Sequence, residues 1–300
     1  MRPNTLAVLL LTLGTVSVAY AQQPPSGPSS QKQVEMYFLR NEVYFLSVGR
    51  ANAVAAVTGG GIVLLDAMPA GWGPAMFQAL QQVSYMPVST IINTHAHEDH
   101  AGAETEYPAP VQIVMHENSS RRLSRKTGAG RTVKTFSDHM PVTLGNRPLH
   151  VYYFGKGHTD GDAIVVIPDI RTAYAGDLFA EKALPVVDPA SGGSALALPQ
   201  TLAQAAKEIA GVDRVITGHG RWPAAGVQGW PTWTDFQQYA EFVREFVDAV
   251  SAGWKNGRTA EQVGAELRMP EKYNEYRLDG ARAMIETIFN ELKQSPTPKR

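Results

Sequence analysis

The 300-residue chain contains no cysteine. This absence excludes disulfide bonds, thiolate metal ligands and a cysteine nucleophile at the same time. Any metal ion that this protein binds must therefore be held by nitrogen and oxygen atoms. A chain without thiols can also fold in an oxidising compartment with no risk of mispaired cysteines.

Neither sign of charge is in excess. The chain has 27 lysine and arginine residues against 28 aspartate and glutamate residues, for a formal net charge of -1. Proteins that bind nucleic acid usually carry a basic excess or patch, and blocks of like charge are typical of disordered tails. We therefore expect no nucleic-acid partner. The balance is compatible with an enzyme that acts on a small-molecule substrate.

Long apolar runs are rare, and the one that occurs lies at the N-terminus. Arg2 precedes an apolar stretch at residues 6–18, and Ala19-Tyr20-Ala21 follows it. This pattern is typical of a secretory signal peptide, residues 1–21. The run is shorter than the about 20 residues that span a bilayer, which favours cleavage over an uncleaved anchor. We predict an exported protein, periplasmic or extracellular, with no membrane association after cleavage and a flexible leader rich in Pro, Ser and Gln at residues 22–33.

From residue 34 onward, short apolar runs with β-branched and aromatic residues alternate with glycine-containing turns and helical periodicities. The first half predicts strands at 43–48, 54–57, 62–65, 89–93 and 111–115, and helices at 73–83 and 117–126. The second half predicts strands at 149–154, 163–167, 172–175 and 214–217, and a helix at 198–209. Hairpins mixed with helical crossovers indicate an α/β architecture of sheets covered by helices.

The last seventy residues differ from the rest of the chain because they predict helices only. A helix at 234–254 carries apolar residues on one face, and helices at 259–267 and 278–292 follow it. Such a stripe is typical of a face packed in the core. We predict a C-terminal helical extension at 231–300, packed on the main domain. A role as a lid or as a dimer contact stays open.

The segment at residues 94–100 reads THAHEDH and follows an apolar run. Side chains two residues apart on an extended segment point to the same side, so His95 and His97 can reach one metal ion together. Asp99 continues that phase, and His100 follows as the chain turns toward a predicted helix at 101–106. Neutral imidazole and carboxylate are ligands that Zn²⁺ accepts readily. One loop thus offers ligands to two metal ions.

Three later motifs supply further candidate ligands, and each follows a predicted strand. They are GHTDGD at 157–162, GDLF at 176–179 and TGHG at 217–220, which contain His158, Asp177 and His219. A glycine lies beside the His or Asp in each motif. Glycine permits the sharp turns and the close backbone approach that a buried metal site requires.

Taken in order, HAHEDH, GHTDGD, GDLF and TGHG resemble the motifs of the metallo-β-lactamase superfamily, over roughly residues 43–220. The resemblance implies a four-layer αβ/βα sandwich, with a catalytic domain at 34–230 and the site at strand ends between the two sheets. It implies that His95, His97 and His158 hold a first metal ion, that Asp99, His100 and His219 hold a second, and that Asp177 bridges the two. Asp66, at the end of the strand predicted at 62–65, would orient a ligating imidazole.

The resemblance also implies the reaction. Two Zn²⁺ ions, with iron or manganese as alternatives, would share a water molecule and make hydroxide available at neutral pH. The hydroxide would cleave a carboxylic ester, lactone, thioester or amide bond, with Asp99 and Asp177 orienting the nucleophile or carrying its proton. Lys182 follows Asp177 and is a candidate contact for a substrate carboxylate, although a solvated loop lysine is an equal alternative. The natural substrate and the oligomeric state stay open.

Three other functions were weighed against this one. A class B-like β-lactamase fits export, but such enzymes usually carry Cys or Ser where this chain has Asp177. An iron-dependent oxidoreductase of the same fold usually has Glu at the position of His97. A metal-stabilised binding protein without turnover fits poorly, because degenerate relatives usually lose ligands and this chain has the full set.

Overall fold

A computed structural model describes residues 32–49, 51–123, 131–220 and 229–294. The predicted signal peptide at 1–21 and all but the last two residues of the predicted leader lie outside these ranges, so both stay predictions. The described residues form one compact unit.

The first sheet has seven strands that are paired in chain order, β1 to β7. Strands β1 to β4 pair antiparallel, and β4 to β7 pair parallel. Strand β2 is buried along its whole length, which agrees with its continuous apolar composition. The strands are Glu35–Arg40, Val43–Val48, Ala51–Thr58, Gly61–Leu65, Val88–Ile92, Val111–His116 and Arg131–Phe136.

The second sheet has five strands in the order β12-β11-β10-β9-β8. The β11–β12 pair is parallel and the other three pairs are antiparallel. The strands, from β8 to β12, are His139–Leu144, Arg147–Tyr152, Ile164–Ile167, Thr172–Tyr174 and Arg214–Ile216. The strands predicted from the sequence are all present, with ends that differ from the prediction by at most three residues.

The structure has four layers, because each sheet buries one face against the other sheet and its other face under helices. Facing side chains of both sheets form one apolar cluster, to which β2 contributes Phe45 and β10 contributes Val165. Helix α1, Gly73–Leu80, covers the outer face of the first sheet, and α4, Leu198–Glu208, covers the outer face of the second. This helix–sheet–sheet–helix order confirms the predicted αβ/βα sandwich.

The C-terminal helices are α5, Trp233–Lys255, α6, Ala260–Glu266, and α7, Ala281–Gln294. Helix α5 begins at a capping box in which Thr232 and Asp235 satisfy each other's backbone N–H groups. Its predicted apolar stripe is buried, in a cluster that also contains residues of α4 and α7. The helical extension is therefore confirmed, while its division from the rest at residue 231 stays a prediction.

Some elements differ from the sequence-based prediction. The helix predicted at 101–106 is wrong: helix α2 spans Glu98–Ala101, and a separate 3-10 turn spans Glu104–Glu106. Two bonds explain the break, because the Gly102 N–H closes helix α2 on the Glu98 carbonyl while the Ala103 N–H donates to Met68. Helix α3, Glu117–Leu123, begins where it was predicted, and residues 124–126 of that prediction lie outside the described ranges. Strands β1, β7 and β8 were not predicted.

Within the described ranges, none of the helices has the length and the apolar character that crossing a bilayer requires.

Candidate metal centre

The predicted ligands lie where strands of both sheets end. Strands β4 and β5 are parallel neighbours, and Asp66 and His95 follow their carboxyl ends. Strands β11 and β12 are parallel neighbours in the other sheet, and Asp177 and His219 follow theirs. The carboxyl ends of parallel neighbours meet at one edge of a sheet, which is where open α/β sheets place their sites. The candidate ligands therefore come from one edge of each sheet, and these two edges lie next to each other.

Backbone hydrogen bonds join the two edges. The Asn52 N–H donates to Gly218 O over 2.9 Å, and the Ala163 N–H donates to Thr94 O over 2.7 Å. The first bond connects β3 to the turn before His219, and the second connects the loop that carries His158 to the loop that carries His95. Main-chain hydrogen bonds thus hold the loops that carry the candidate ligands next to each other.

The first group of candidate ligands is His95, His97 and His158. His97 Nδ1 lies 3.2 Å from His95 Nε2 and 2.8 Å from His158 Nε2. His95 and His158 are buried, whereas 27% of the His97 side chain is exposed. These are the three side chains that the resemblance assigns to the first ion.

The second group is Asp99, His100 and His219. His219 Nε2 lies 3.3 Å from His100 Nε2 and 3.3 Å from Asp99 Oδ2. Asp99 and His100 lie in helix α2 rather than on an extended segment, so the alternation inferred for Asp99 is wrong although the proximity is present. His100 is fully buried, whereas about two fifths of the Asp99 and His219 side chains is exposed, 41% and 40% respectively.

Asp177 lies between the two groups. Its Oδ2 is 3.4 Å from His158 Nε2 and 3.0 Å from His219 Nε2, and its Oδ1 is 3.3 Å from His100 Nε2. Oδ1 is buried and has no hydrogen-bond partner. A buried carboxylate oxygen without a donor is costly unless a cation satisfies it. The position of Asp177 fits the bridging role that the resemblance assigns to it.

Asp66 is fully buried and receives hydrogen bonds from both sides of the site. Its Oδ1 accepts from the Thr94 backbone N–H over 2.7 Å. Its Oδ2 accepts from the Thr94 hydroxyl over 2.8 Å, from His100 Nδ1 over 2.8 Å and from the Tyr174 hydroxyl over 2.7 Å. Asp66 therefore contacts the imidazole of His100, which fits the orienting role that the resemblance assigns to it, and it also fixes the start of the 94–100 loop.

The outward nitrogens of four imidazoles face groups that accept a hydrogen. His100 Nδ1 faces Asp66, His97 Nε2 lies 2.9 Å from Asp188 Oδ2, and His158 Nδ1 lies 2.8 Å from Val186 O. His95 Nδ1 lies 3.0 Å from the Thr94 hydroxyl, whose own hydrogen is directed to Asp66. A neutral imidazole carries one N–H, so these partners place the hydrogen outward and leave the inward nitrogen with a lone pair.

Inward lone pairs that converge without a hydrogen between them call for a cation. Zinc–nitrogen bonds of about 2.0–2.1 Å place the ligands of a tetrahedral ion about 3.3 Å apart. The inward ligand atoms described above are separated by 2.8–3.4 Å from one neighbour to the next. The donor set and its spacing fit zinc.

Without a cation, the imidazoles of the cluster differ in protonation. Burial lowers the pKa of His95 well below its usual range and also lowers the pKa of His158, so both imidazoles are neutral ligands. Burial opposes a charge on His100 as well, but the carboxylates of Asp66 and Asp177 outweigh burial and raise its pKa well above the usual range. Burial also opposes ionisation of Asp177, yet His100 and His219 hold its pKa well below the usual value.

Gly218 keeps the bridging position open. A Cβ atom at this residue would collide with Asp177 Oδ1 and would lie 2.8 Å from His100 Cε1. Only glycine fits between these two side chains, which explains its place in the TGHG motif.

Lys182 lies apart from the two ligand groups. Its ammonium pairs with Glu275, and its carbonyl accepts from the Arg277 N–H. About half of the side chain is exposed, and its contacts in the described part of the chain include none of the seven predicted ligands. The substrate contact proposed for Lys182 stays a prediction, and this ion pair directs its charge toward the C-terminal helical region.

Two further carboxylates and three further histidines make contacts that do not involve the candidate ligands. Asp160 pairs with Arg122 over 2.7 Å, and buried Asp162 accepts from the Thr159 N–H over 2.9 Å. His116 Nε2 donates to Ser137 O over 3.1 Å. His139 stacks on Tyr152, and His150 stacks on His139.

Two contacts of the site were not predicted from the sequence: that of Asp188 with His97 and that of Tyr174 with Asp66. Asp188 precedes Pro189 and caps a short 3-10 turn, so a local pattern exists for the cap. No local pattern indicates that the same carboxylate reaches His97, 91 residues away.

Comparison with known proteins agrees with this geometry. The sequence model of a family described as the metallo-β-lactamase superfamily matches residues 46–219, which is more than half of the chain. The chain belongs to the metallo-β-lactamase superfamily. A metallo-β-lactamase type 2 of Elizabethkingia meningoseptica is 26% identical over 222 residues, which cover 71% of this chain and 87% of that protein.

Two solved structures show the same fold at low identity. A metallo-β-lactamase from Pontibacter korlensis is 18% identical with a TM-score of 0.58, and the match covers 71% of this chain and 99% of that one. A stereoselective inverting sec-alkylsulfatase from Pseudomonas sp. is 14% identical with a TM-score of 0.71. That match covers 88% of this chain and 52% of the sulfatase.

Proposed function

We propose that this protein is an exported, dinuclear zinc hydrolase that cleaves a carboxylic ester, lactone, thioester or amide bond in a small-molecule substrate. The observation that carries the proposal is the convergence of five imidazoles and two carboxylates at one edge of the sandwich. Four of the imidazoles have their outward nitrogens engaged by hydrogen-bond acceptors. A bound cation would satisfy these inward ligand atoms.

Seven side chains would hold the ions in this proposal. His95, His97 and His158 would bind one ion, Asp99, His100 and His219 would bind the other, and Asp177 would contact both. When bound, a zinc pair supplies Lewis acidity and lowers the pKa of a water molecule from about 16 toward about 7.

The exposure of the ligands indicates where the substrate would approach. His95 and His100 are buried at the base of the site, whereas Asp99 and His219 are partly exposed. A substrate would therefore enter from the side of Asp99 and His219. Asp99 Oδ2 would be the group that accepts a proton at this open side, and buried Asp177 would orient the nucleophile.

The test is a hydrolysis panel with purified, metal-counted mature protein. We expect hydrolysis of at least one ester, lactone or thioester by the zinc-loaded protein, loss of the rate after chelation, and recovery when zinc is restored. A full rate after complete removal of metal would contradict the proposal. Metal counting of protein made without added metal separates zinc from iron, and N-terminal sequencing of exported protein tests cleavage after residue 21.

β-Lactam hydrolysis is the second candidate, because a curated relative of this chain is a metallo-β-lactamase type 2. Asp177 argues against it, since the resemblance leads us to expect Cys or Ser there in dedicated β-lactamases. A chromogenic cephalosporin in the same panel distinguishes the two. A rate on the cephalosporin that exceeds every ester and lactone rate would favour the β-lactamase.

A further inference from the structure

Two histidines outside the metal centre lie side by side on the second sheet, and we call them the histidine pair. His139 belongs to the edge strand β8, and His150 belongs to its neighbour β9. In the register of these strands His139 faces Tyr152, two residues beyond His150, so the two imidazoles are diagonal neighbours on one face. His139 Nε2 lies 3.2 Å from His150 Nδ1.

The histidine pair lies on the outer face of the sheet. Val142 of β8 and Val151 of β9 belong to the apolar cluster between the two sheets. Side chains alternate along a strand, so the pair points to the opposite face. His139 is exposed there and His150 is half-buried, which leaves both rings open to ions from solvent.

We propose that the histidine pair is an additional metal site, which binds one Cu²⁺ ion through His139 Nε2 and His150 Nδ1. Metal–nitrogen bonds of about 2.0–2.1 Å, the length of zinc–imidazole bonds, place neighbouring ligands of one ion about 2.9–3.4 Å apart. The separation of 3.2 Å between the two nitrogens lies within this range. The site is independent of the proposed hydrolytic function.

The protonation of the pair makes lone pairs available. Burial, and next the neighbouring His150, lower the pKa of His139, so its imidazole is neutral at pH 7. Within the described ranges, the hydrogen-bond partners of the two rings include no carboxylate and no carbonyl group, so neither tautomer is fixed. The hydrogen between the facing nitrogens can therefore move to an outward nitrogen, and both lone pairs then point to the ion.

Aromatic stacking orders the ligands before an ion arrives. His139 stacks on Tyr152 with ring centroids 4.4 Å apart, and Tyr152 stacks on Phe154 at 5.6 Å. Tyr152 and Phe154 in turn pack against the apolar cluster that contains residues of α4 and α5. A side chain that is already ordered loses less conformational entropy when it binds, which favours the site.

The ligand set of the pair favours Cu²⁺ over other divalent ions. The affinity of nitrogen and oxygen sites rises along the first transition series to Cu²⁺ and falls again at Zn²⁺. Cu²⁺ also accepts a tetragonal arrangement that two imidazoles and water can complete, whereas structural Zn²⁺ sites use four protein ligands. We therefore expect tighter binding of Cu²⁺ than of Ni²⁺ or Zn²⁺ at this site.

The test is a Cu²⁺ titration of zinc-saturated protein, followed by electron paramagnetic resonance. The wild type should bind one Cu²⁺ ion with nitrogen ligands. His139→Gln and His150→Gln should each lower its affinity about 100-fold, because the second ligand of a chelate acts at high effective concentration. Thr143→Ala, on the same exposed face of β8, is the matched control and should keep the wild-type affinity. Because the variants differ from the wild type only on this face, the comparison isolates the ion that the pair holds.

Nuclear magnetic resonance of the imidazole rings gives a second readout. Substoichiometric Cu²⁺ should broaden the ring signals of His139 and His150 first. His116 is the internal reference, because its Nε2 donates to Ser137 O and its Nδ1 accepts from the Asn118 N–H. Equal Cu²⁺ affinity in the wild type and both glutamine variants overturns the proposal, and so does a loss in only one of them. Either result leaves the proposed hydrolytic function standing.

Discussion

Replacing Asp66 by asparagine keeps the size of the side chain and removes one acceptor from a fully buried position. The carboxylate faces the Thr94 N–H through one oxygen and His100 Nδ1 through the other. The NH₂ group of asparagine must face one of them. If it faces Thr94, a buried backbone donor is left without a partner; if it faces His100, the imidazole must change tautomer and turn its N–H toward the second ion.

Either outcome should lower the free energy of unfolding by about 1–3 kcal/mol, the usual penalty for a buried donor that loses its partner. We expect the affinity for the second ion to fall about 10- to 100-fold, as when a ligating imidazole loses its orienting carboxylate. The backbone of Asp66 is left-handed, with φ of 64°. Asparagine tolerates this conformation, so we expect the Asp66→Asn variant to fold.

The assay is competition between protein and a zinc chelator, with denaturant unfolding of metal-free protein in parallel. Asp213→Asn serves as the control for a lost surface carboxylate. A second-ion affinity within twofold of the wild type, together with an unchanged free energy of unfolding, would refute the reasoning.

Three further predictions follow from the same contacts. Asp177→Ala should release the second ion and lower turnover by at least about 100-fold while the fold survives, and metal content and rate equal to the wild type would refute its bridging role. Zinc binding near pH 7 should release protons, because Asp66 and Asp177 raise the pKa of His100 against the effect of burial, and affinity should rise with pH; calorimetry that is independent of buffer ionisation would contradict this. Burial raises the pKa of Glu104 from 4.5 to about 7, so folded protein keeps this proton at pH values where unfolded chain has lost it. Stability is therefore lost as pH rises from about 4.5 to 7, by up to about 3 kcal/mol, and Glu104→Gln should stabilise the protein at pH 8 but not at pH 4. Equal stability changes at the two pH values would show that burial of Glu104 has no such effect.

The fold was largely predictable because most strands carry a strong local signal. Val43–Val48 and Gly61–Leu65 are apolar, rich in β-branched residues and bounded by turns, and both are buried strands. Strand β7, Arg131–Phe136, was missed because four of its six residues are exposed and two of the six are basic, which hides the pattern of a half-buried strand.

The helix that carries Asp99 and His100 was misplaced for a different reason. Its four residues are too few to show a helical period, and a tertiary bond from the Ala103 N–H to Met68 O determines where it ends. A short helix in a functional loop is therefore decided by the surrounding fold rather than by its own sequence.

The candidate ligands were predictable from motifs, whereas the groups that orient them were not, except for Asp66. Val186 contributes a carbonyl oxygen to His158, 28 residues away in the chain, and Asp188 contributes a carboxylate to His97, 91 residues away. A backbone carbonyl carries no sequence signal at all. Such contacts can be identified only in the folded structure, where Val186 lies against His158 and Asp188 lies against His97.

The most direct test of the zinc pair is a crystal structure of zinc-loaded protein measured at the zinc absorption edge. The account predicts two anomalous peaks, one among His95, His97 and His158 and the other among Asp99, His100 and His219, with Asp177 in contact with both. A single peak, or no peak at these side chains, would contradict it.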